Sequence, residues 1–171
     1  MARKRCYGVA ISTAAKVRTD ARFTVEEYLA FIDTRPSEER WQLIDGVVTL
    51  EPQPTLLRQM IVGNLQCALE EQFRAHNAPL LALHRISLIV PGVDLFRPFG
   101  DVVVLDPTID MDSSYADRFF LVAEVLSESN RDADVDIKRQ RYQLHPDNSY
   151  CLIISQTEVR IEVYARAAGW E

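Results

Sequence analysis

The sequence predicts a mixed α/β (α+β) domain: a mixed central β-sheet flanked by helices, with a short helix and a β-hairpin ahead of it. Three observations carry that prediction. Apolar runs of about four to eight residues recur between turn signals, which is how buried strands read. One long stretch, residues 56–76, repeats its apolar residues at helical spacing instead. A second, polar helical segment separates the later apolar runs, so helices interrupt the strand series as they do in layered mixed folds.

In chain order, Thr24 precedes Val25, Tyr28, Leu29 and Ile32, with Glu27 three residues on. That is a capping box, and it starts a helix expected to end near Thr34. WQLIDGVVTL follows, two apolar runs over residues 41–44 and 47–50 joined by Asp45-Gly46, a pair that tolerates the positive φ of a two-residue hairpin turn. Pro52 and Pro54 break the chain, and Leu57, Met60, Ile61, Leu65, Ala68, Leu69 and Phe73 then form the stripe of the longest helix. Strands are expected over residues 80–83, 86–90, 101–105 and 119–126, with Pro91-Gly92 and Pro98 to Gly100 as punctuation. Residues 134–145 read as the polar helix, stopped by Pro146-Asp147-Asn148-Ser149, and strands over 150–154 and 159–164 follow. No repeat or interdomain linker is visible, so residues 23–171 are read as a single domain and residues 1–22 as a flexible N-terminal extension.

A chain of 171 residues buries a core without staples. The three cysteines, Cys6, Cys67 and Cys151, are odd in number and lack zinc spacing, which points to neither a disulfide framework nor a zinc site and suits the cytoplasm. The start, MARKR then CYGVAISTAA, imitates a secretory leader, but Gly8, Ser12 and Thr13 weaken its apolar part and export is not expected. No run approaches the roughly 20 apolar residues that cross a bilayer, so no membrane partner is expected. A net charge of −6 argues against a surface coated in basic patches, but not against a nuclease, whose metal-holding carboxylates add negative charge.

The residues that draw attention are acidic ones in apolar runs. Asp101 opens DVVVL and Glu124 interrupts VAEVL, and a charge in a buried strand is costly unless it has a partner or a metal. Two carboxylates on adjacent strands suit Mg²⁺ or Mn²⁺, hard ions that take oxygen ligands and can make water nucleophilic beside a phosphate. The plainer alternatives are ion pairs: Asp101 with an arginine such as Arg97, Glu124 with Arg118 or Lys138. Lys138 could orient or deprotonate water, or balance phosphate charge. Asp134, Lys138 and Tyr142 are spaced i, i+4, i+8 and share a helix face, where Tyr142 is most simply an anchor to the core. His76, His84 and His145 lie in separate elements without metal-ligand spacing.

The segments WQLIDGVV, GDVVVLD, LVAEVLSESN, the D-x-x-x-K-x-x-x-Y of Asp134, Lys138 and Tyr142, YCLIIS and RIEVYARAAGW together resemble the Uma2 family of restriction-endonuclease-like proteins, over about Phe23 to Trp170. The resemblance implies a restriction endonuclease-like core of the PD-(D/E)xK nuclease superfamily. It implies Asp101 and Glu124 as metal ligands, with the Val125 carbonyl, and Lys138 in the lysine role. The superfamily's E-x-K is altered, because Leu126 stands two residues after Glu124 and the lysine comes from the next helix. Gln42 stands where the family's Y-E-L-I-D-G carries glutamate, Gly100 replaces a proline, and a histidine early in the long helix is replaced near Arg58. Two functions are therefore expected: a Mg²⁺-dependent endonuclease acting on double-stranded DNA as a two-fold dimer, or a catalytically impaired nuclease-fold module used for binding or assembly.

Overall fold

The computed structural model describes residues 22–126 and 132–171, without the side chains of residues 132 and 133, together with the backbone of Lys16–Val17. Apart from that short strand and Arg22, the extension expected over residues 1–22 lies outside the described residues. The elements are β1 (Lys16–Val17), α1 (Val25–Ile32), β2 (Trp41–Ile44), β3 (Val47–Leu50), α2 (Leu56–Ala75), β4 (Leu81–Leu88), β5 (Phe99–Leu105), β6 (Tyr115–Ala116), β7 (Leu121–Val125), α3 (Asp132–Gln143), β8 (Tyr150–Ile154) and β9 (Ile161–Ala165).

A six-stranded sheet in the order β6-β4-β5-β7-β8-β9 forms the centre. It is mixed: β4–β5, β5–β7 and β8–β9 are antiparallel, and β7–β8 and β4–β6 are parallel. The parallel β7–β8 pair needs a crossover, and α3 supplies it. Alternation along the strands sends side chains to both faces, and both are covered. Val102, Val104, Ala123, Val125, Leu152 and Ile154 meet Ile61, Val62, Leu65, Leu69 and Phe73 of α2 on one face. Val103, Val122, Cys151 and Ile153 meet Val135, Ile137 and Tyr142 of α3 on the other. Gly100 is required by this packing, because a Cβ there would lie 2.6 Å from a methyl of Val103 and 2.9 Å from one of Val122.

A smaller sheet, β1-β3-β2, stands beside the first. Asp45 and Gly46, at φ 49° and 81°, make the turn between β2 and β3 that their sequence favours. The expected capping box of α1 is present, with Thr24 Oγ1 accepting from the Glu27 amide and Glu27 Oε2 accepting from the Thr24 amide. Tyr28 of α1 then donates to the Trp41 carbonyl at 2.6 Å, tying helix to hairpin. The hairpin is joined to the segment before β5 by paired backbone bonds between Leu43 and Arg97, and to α3 by Arg141 on Asp45 at 3.0 Å. No described helix is long and apolar enough to cross a membrane.

Candidate functional site: two carboxylates and two buried cations

Asp101 lies where the central sheet loses its regular pairing. The β4–β5 ladder pairs His84 with Val102 and Ile86 with Gly100, and passes over Arg85 and Asp101. Arg85 has φ 56°, a left-handed conformation costly for a residue with a Cβ, and this interrupts what the sequence reads as two strands and the fold joins as one. On the other side, the β5–β7 ladder ends at Val102–Ala123, one step short of setting Asp101 opposite Glu124. The Asp101 side chain substitutes for the missing ladder bond: Oδ2 accepts the Val125 amide at 2.7 Å.

Asp101 is also held from α2. Arg58 donates through Nε at 3.2 Å and Nη2 at 2.8 Å to Oδ1, and through Nη2 at 2.7 Å to Oδ2. An ionised carboxylate offers about four lone-pair sites. Three bonds from Arg58 and one from Val125 therefore fill Asp101. Burial works to lower the Arg58 pKa, but the charge and hydrogen bonds of Asp101, with the charges of Glu124 and Glu51, together outweigh it and hold the guanidinium above its ordinary value. Asp101 thus has an arginine partner, and it is Arg58; Arg97 bonds the Phe96 carbonyl instead.

Glu124 points toward α3 and is 1% exposed. Its Oε1 accepts from Tyr142 Oη at 2.7 Å and Lys138 Nζ at 3.2 Å, and its Oε2 accepts from the same Nζ at 3.1 Å. Lys138 and Tyr142 reach one carboxylate because residues four apart share a helix face. The remaining Lys138 proton goes to the Phe99 carbonyl at 2.9 Å, so all three donors of the ammonium are engaged. Burial pushes the Glu124 carboxyl up to about 7 against the opposing pull of Lys138. For Lys138, burial works downward, but Glu124, then Glu51 and Asp101, hold the ammonium above its ordinary value.

The structure thus brings Asp101, Glu124, Lys138 and Val125 together. Gln42 is not tied to them by any hydrogen bond: its Oε1 is buried with no partner among the described residues. It occupies the β2 position two before Ile44, which packs in the same cluster as Tyr142. Val125 contributes its amide to Asp101.

A cleft of about 400 Å³ opens on the α2 side, with Arg40, Glu51, Arg58, His84, Arg85 and Asp101 on its walls. Arg85 approaches Glu51 at 3.8 Å. From the sequence, Arg58 stands out only as a replacement and Arg85 only as a break between apolar runs, and Glu51 does not stand out at all. A signal for Arg58 existed: it stands four residues before Val62 and so falls on the buried stripe of α2, where an arginine needs a buried partner. Glu51 lies just beyond the end of β3, and nothing local marks it.

In donor chemistry the site fits Mg²⁺ or Mn²⁺, since two hard-oxygen carboxylates on neighbouring strands are what such ions take, with water and substrate oxygens completing the set. No cluster of three or more His, Cys, Asp or Glu side chains able to hold a metal ion occurs among the described residues. An ion on Asp101 would need lone pairs that Arg58 now fills.

No curated protein matches the sequence. In structure the chain is similar to a protein from Anabaena variabilis ATCC 29413 described as a "putative nuclease belonging to DUF820", with a TM-score of 0.61 and 14% identity over 84% of each chain. At that identity the likeness shows the fold alone. The model of the Uma2 family, described as "Putative restriction endonuclease", matches residues 25–171. With that match spanning nearly all of the described fold, this chain belongs to the Uma2 family.

Proposed function

We propose that this chain is a nuclease: a Mg²⁺- or Mn²⁺-dependent endonuclease, cytoplasmic, that hydrolyses phosphodiester bonds of double-stranded DNA, residues 23–171 forming its single domain. The observation that supports this best is the pair of carboxylates, Asp101 and Glu124, on neighbouring strands with Lys138 bonded between Glu124 and Phe99, beside a cleft walled by Arg40, Arg58 and Arg85. The family's description and the neighbour's name point the same way. A two-fold dimer would match the symmetry of a duplex.

Asp101 and Glu124, with the Val125 carbonyl, would hold the ion. When bound, it supplies charge compensation on the phosphate and lowers the pKa of water. The chain's own residues do the rest. Val125 N–H fixes the rotamer of Asp101, helped by Arg58 while no ion is bound, and Tyr142 and Lys138 fix that of Glu124. Lys138 offsets a carboxylate charge that burial alone would neutralise, and is the group proposed to position water or balance phosphate charge. Cleft arginines draw a phosphate strand toward Asp101 by charge and by their planar donor forks. If this is right, purified protein nicks or cuts duplex DNA with Mg²⁺ or Mn²⁺ and not with EDTA, and Asp101→Asn and Lys138→Ala lose the cutting. Mutants that cut as well as the natural sequence would refute the assignment.

Two observations favour a second reading, a nuclease-fold binding module without turnover. Arg58 fills the acceptor sites of Asp101, and the neutral Gln42 stands where the family carries a carboxylate. Under that reading the natural chain shows no saturable Mn²⁺ binding dependent on Asp101 and Glu124, and Gln42→Glu creates it. Metal-dependent turnover by the unaltered chain rejects it.

A further inference from the structure

We infer that Arg58 is an internal counter-ion occupying the cation's place on Asp101, so that a divalent ion binds there only as the guanidinium leaves Asp101 for the cleft. This rests on the metal-site reading above and goes further by making ion binding a two-position exchange of one side chain. Three observations carry it.

The first is saturation. The four acceptor sites of Asp101 are taken by three bonds from Arg58 and one from the Val125 amide. Val125 N–H is backbone in a packed strand and stays in place. Arg58 is a side chain with a long flexible stem, and is the partner that can move.

The second is charge. Asp101, Glu124, Arg58 and Lys138 form a buried set of two anions and two cations, all between 1% and 8% exposed. Its formal charge is zero. Adding a divalent cation without moving anything would leave two uncompensated positive charges in a region where water screens poorly, a cost on the order of several kcal/mol. Release of Arg58 from Asp101 removes one of them from the cluster.

The third is a destination. Arg58 already lines the cleft, and Glu51 on the same wall is among the charges that hold its guanidinium protonated. Among the described residues, the ion-pair partner of Glu51 is Arg85, at a loose 3.8 Å. A guanidinium released from Asp101 thus has a second carboxylate on the cleft wall, and it presents a planar donor fork to an incoming phosphate. Lys138, by contrast, does not line this cleft, and its ammonium is held by Phe99 and Glu124.

The exchange has a measurable consequence. If Asp101 is free of Arg58 about a tenth of the time or less, apparent ion affinity is weakened about tenfold or more. The test is calorimetric titration of the full chain with MnCl₂ and MgCl₂, comparing the natural sequence with Arg58→Gln and Arg58→Lys, and with Asp101→Asn as the control for site. Arg58→Gln is expected to bind Mn²⁺ about tenfold or more tightly than the natural chain. Arg58→Lys keeps a charge but loses the fork, and should fall between. Should Arg58→Gln fail to fold, the natural chain still decides: its Arg58 Nε–H NMR signal, assigned by its loss in Arg58→Lys, should shift and exchange faster with water as Mg²⁺ saturates. Equal affinities with an unmoved signal overturn the exchange and leave the metal site standing. Absence of Asp101-dependent ion binding in every variant overturns both.

Discussion

Asp101 and Glu124 would face each other across β5 and β7 if the ladder ran one residue further, yet they live in opposite settings. Glu124 is enclosed on the α3 side: its partners, Lys138 and Tyr142, are buried with it, and it does not line the α2-side cleft. Asp101 is reached from the α2 side by a residue that also lines a cleft. Similar ion pairs therefore carry different risks. Removing a cation from the sealed pair strands a charge, whereas removing it from the cleft-side pair lets water in. The site combines a rigid half, which holds geometry, with a half whose contents can be exchanged.

The sharpest way to break that contrast is to delete each cation. Lys138→Met leaves Glu124 buried and unpaired and should cost about 3–5 kcal/mol of unfolding free energy at pH 8, since breaking a buried pair costs far more than the pair is worth. Arg58→Met should cost less, about 1–3 kcal/mol, because water in the cleft can hydrate the freed oxygens. Urea denaturation of the two variants without metal reads the difference directly. A Lys138→Met, Glu124→Gln double variant should recover most of the Lys138→Met loss, as the stranded charge is then gone. Equal costs for the two single variants would mean the cleft does not hydrate Asp101, and that both halves are equally closed.

A smaller effect is expected at Tyr142. Its ring fills the core between Phe96 and Phe119, at centroid distances of 5.8 and 6.2 Å, and its hydroxyl bonds Glu124. Tyr142→Phe keeps the packing and removes one buried hydrogen bond, a loss of about 1–2 kcal/mol in the same denaturation experiment. Tyr142→Leu should cost more, because it also opens space among the rings. If Phe and Leu cost the same, the ring is not the anchor the packing makes it.

Much of this was legible in the residues. The capping box at Thr24, the Asp45-Gly46 turn and the stripe of α2 each have a local cause, and each element formed close to its expected limits. Glu124 was conspicuous because a charge inside VAEVL has no cheap explanation. Other features had no local cause to read. The strand pair Tyr115–Ala116 with Leu88 depends on a partner far along the chain, and two residues carry too little periodicity to show. The runs over 80–83 and 86–90 looked separate because His84 and Arg85 interrupt them, and only the left-handed Arg85 lets one strand continue past the break. Arg58 on Asp101 joins residues forty-three positions apart, a pairing that spacing alone does not reveal.

The smallest change expected is one of slope with pH, and it tests which force wins at Glu124 in the metal-free protein. Burial raises this carboxyl from its ordinary 4.5 to about 7; Lys138 and Tyr142 from α3 and Arg58 from α2 oppose the rise, and Asp101 from β5 reinforces it. Cys151 on β8, whose thiol burial pushes up to about 12, is neutral throughout this range. A carboxyl whose folded pKa is raised holds its proton where the unfolded chain has released it. Its stabilising contribution is then full below about 4.5 and is lost as pH climbs to about 7. Glu124→Gln lacks that contribution, while the Lys138 window lies above 10.5 and does not interfere. Between pH 4.5 and 7 the unfolding free energy of the natural chain should therefore fall relative to Glu124→Gln, and the two curves should run parallel above that interval. A gap that moves the other way, with the natural chain gaining on the variant as pH rises, would mean that Lys138 outweighs burial and keeps Glu124 ionised. The sealed half of the site would then be a permanent ion pair, with its charge already fixed before any ligand enters the cleft.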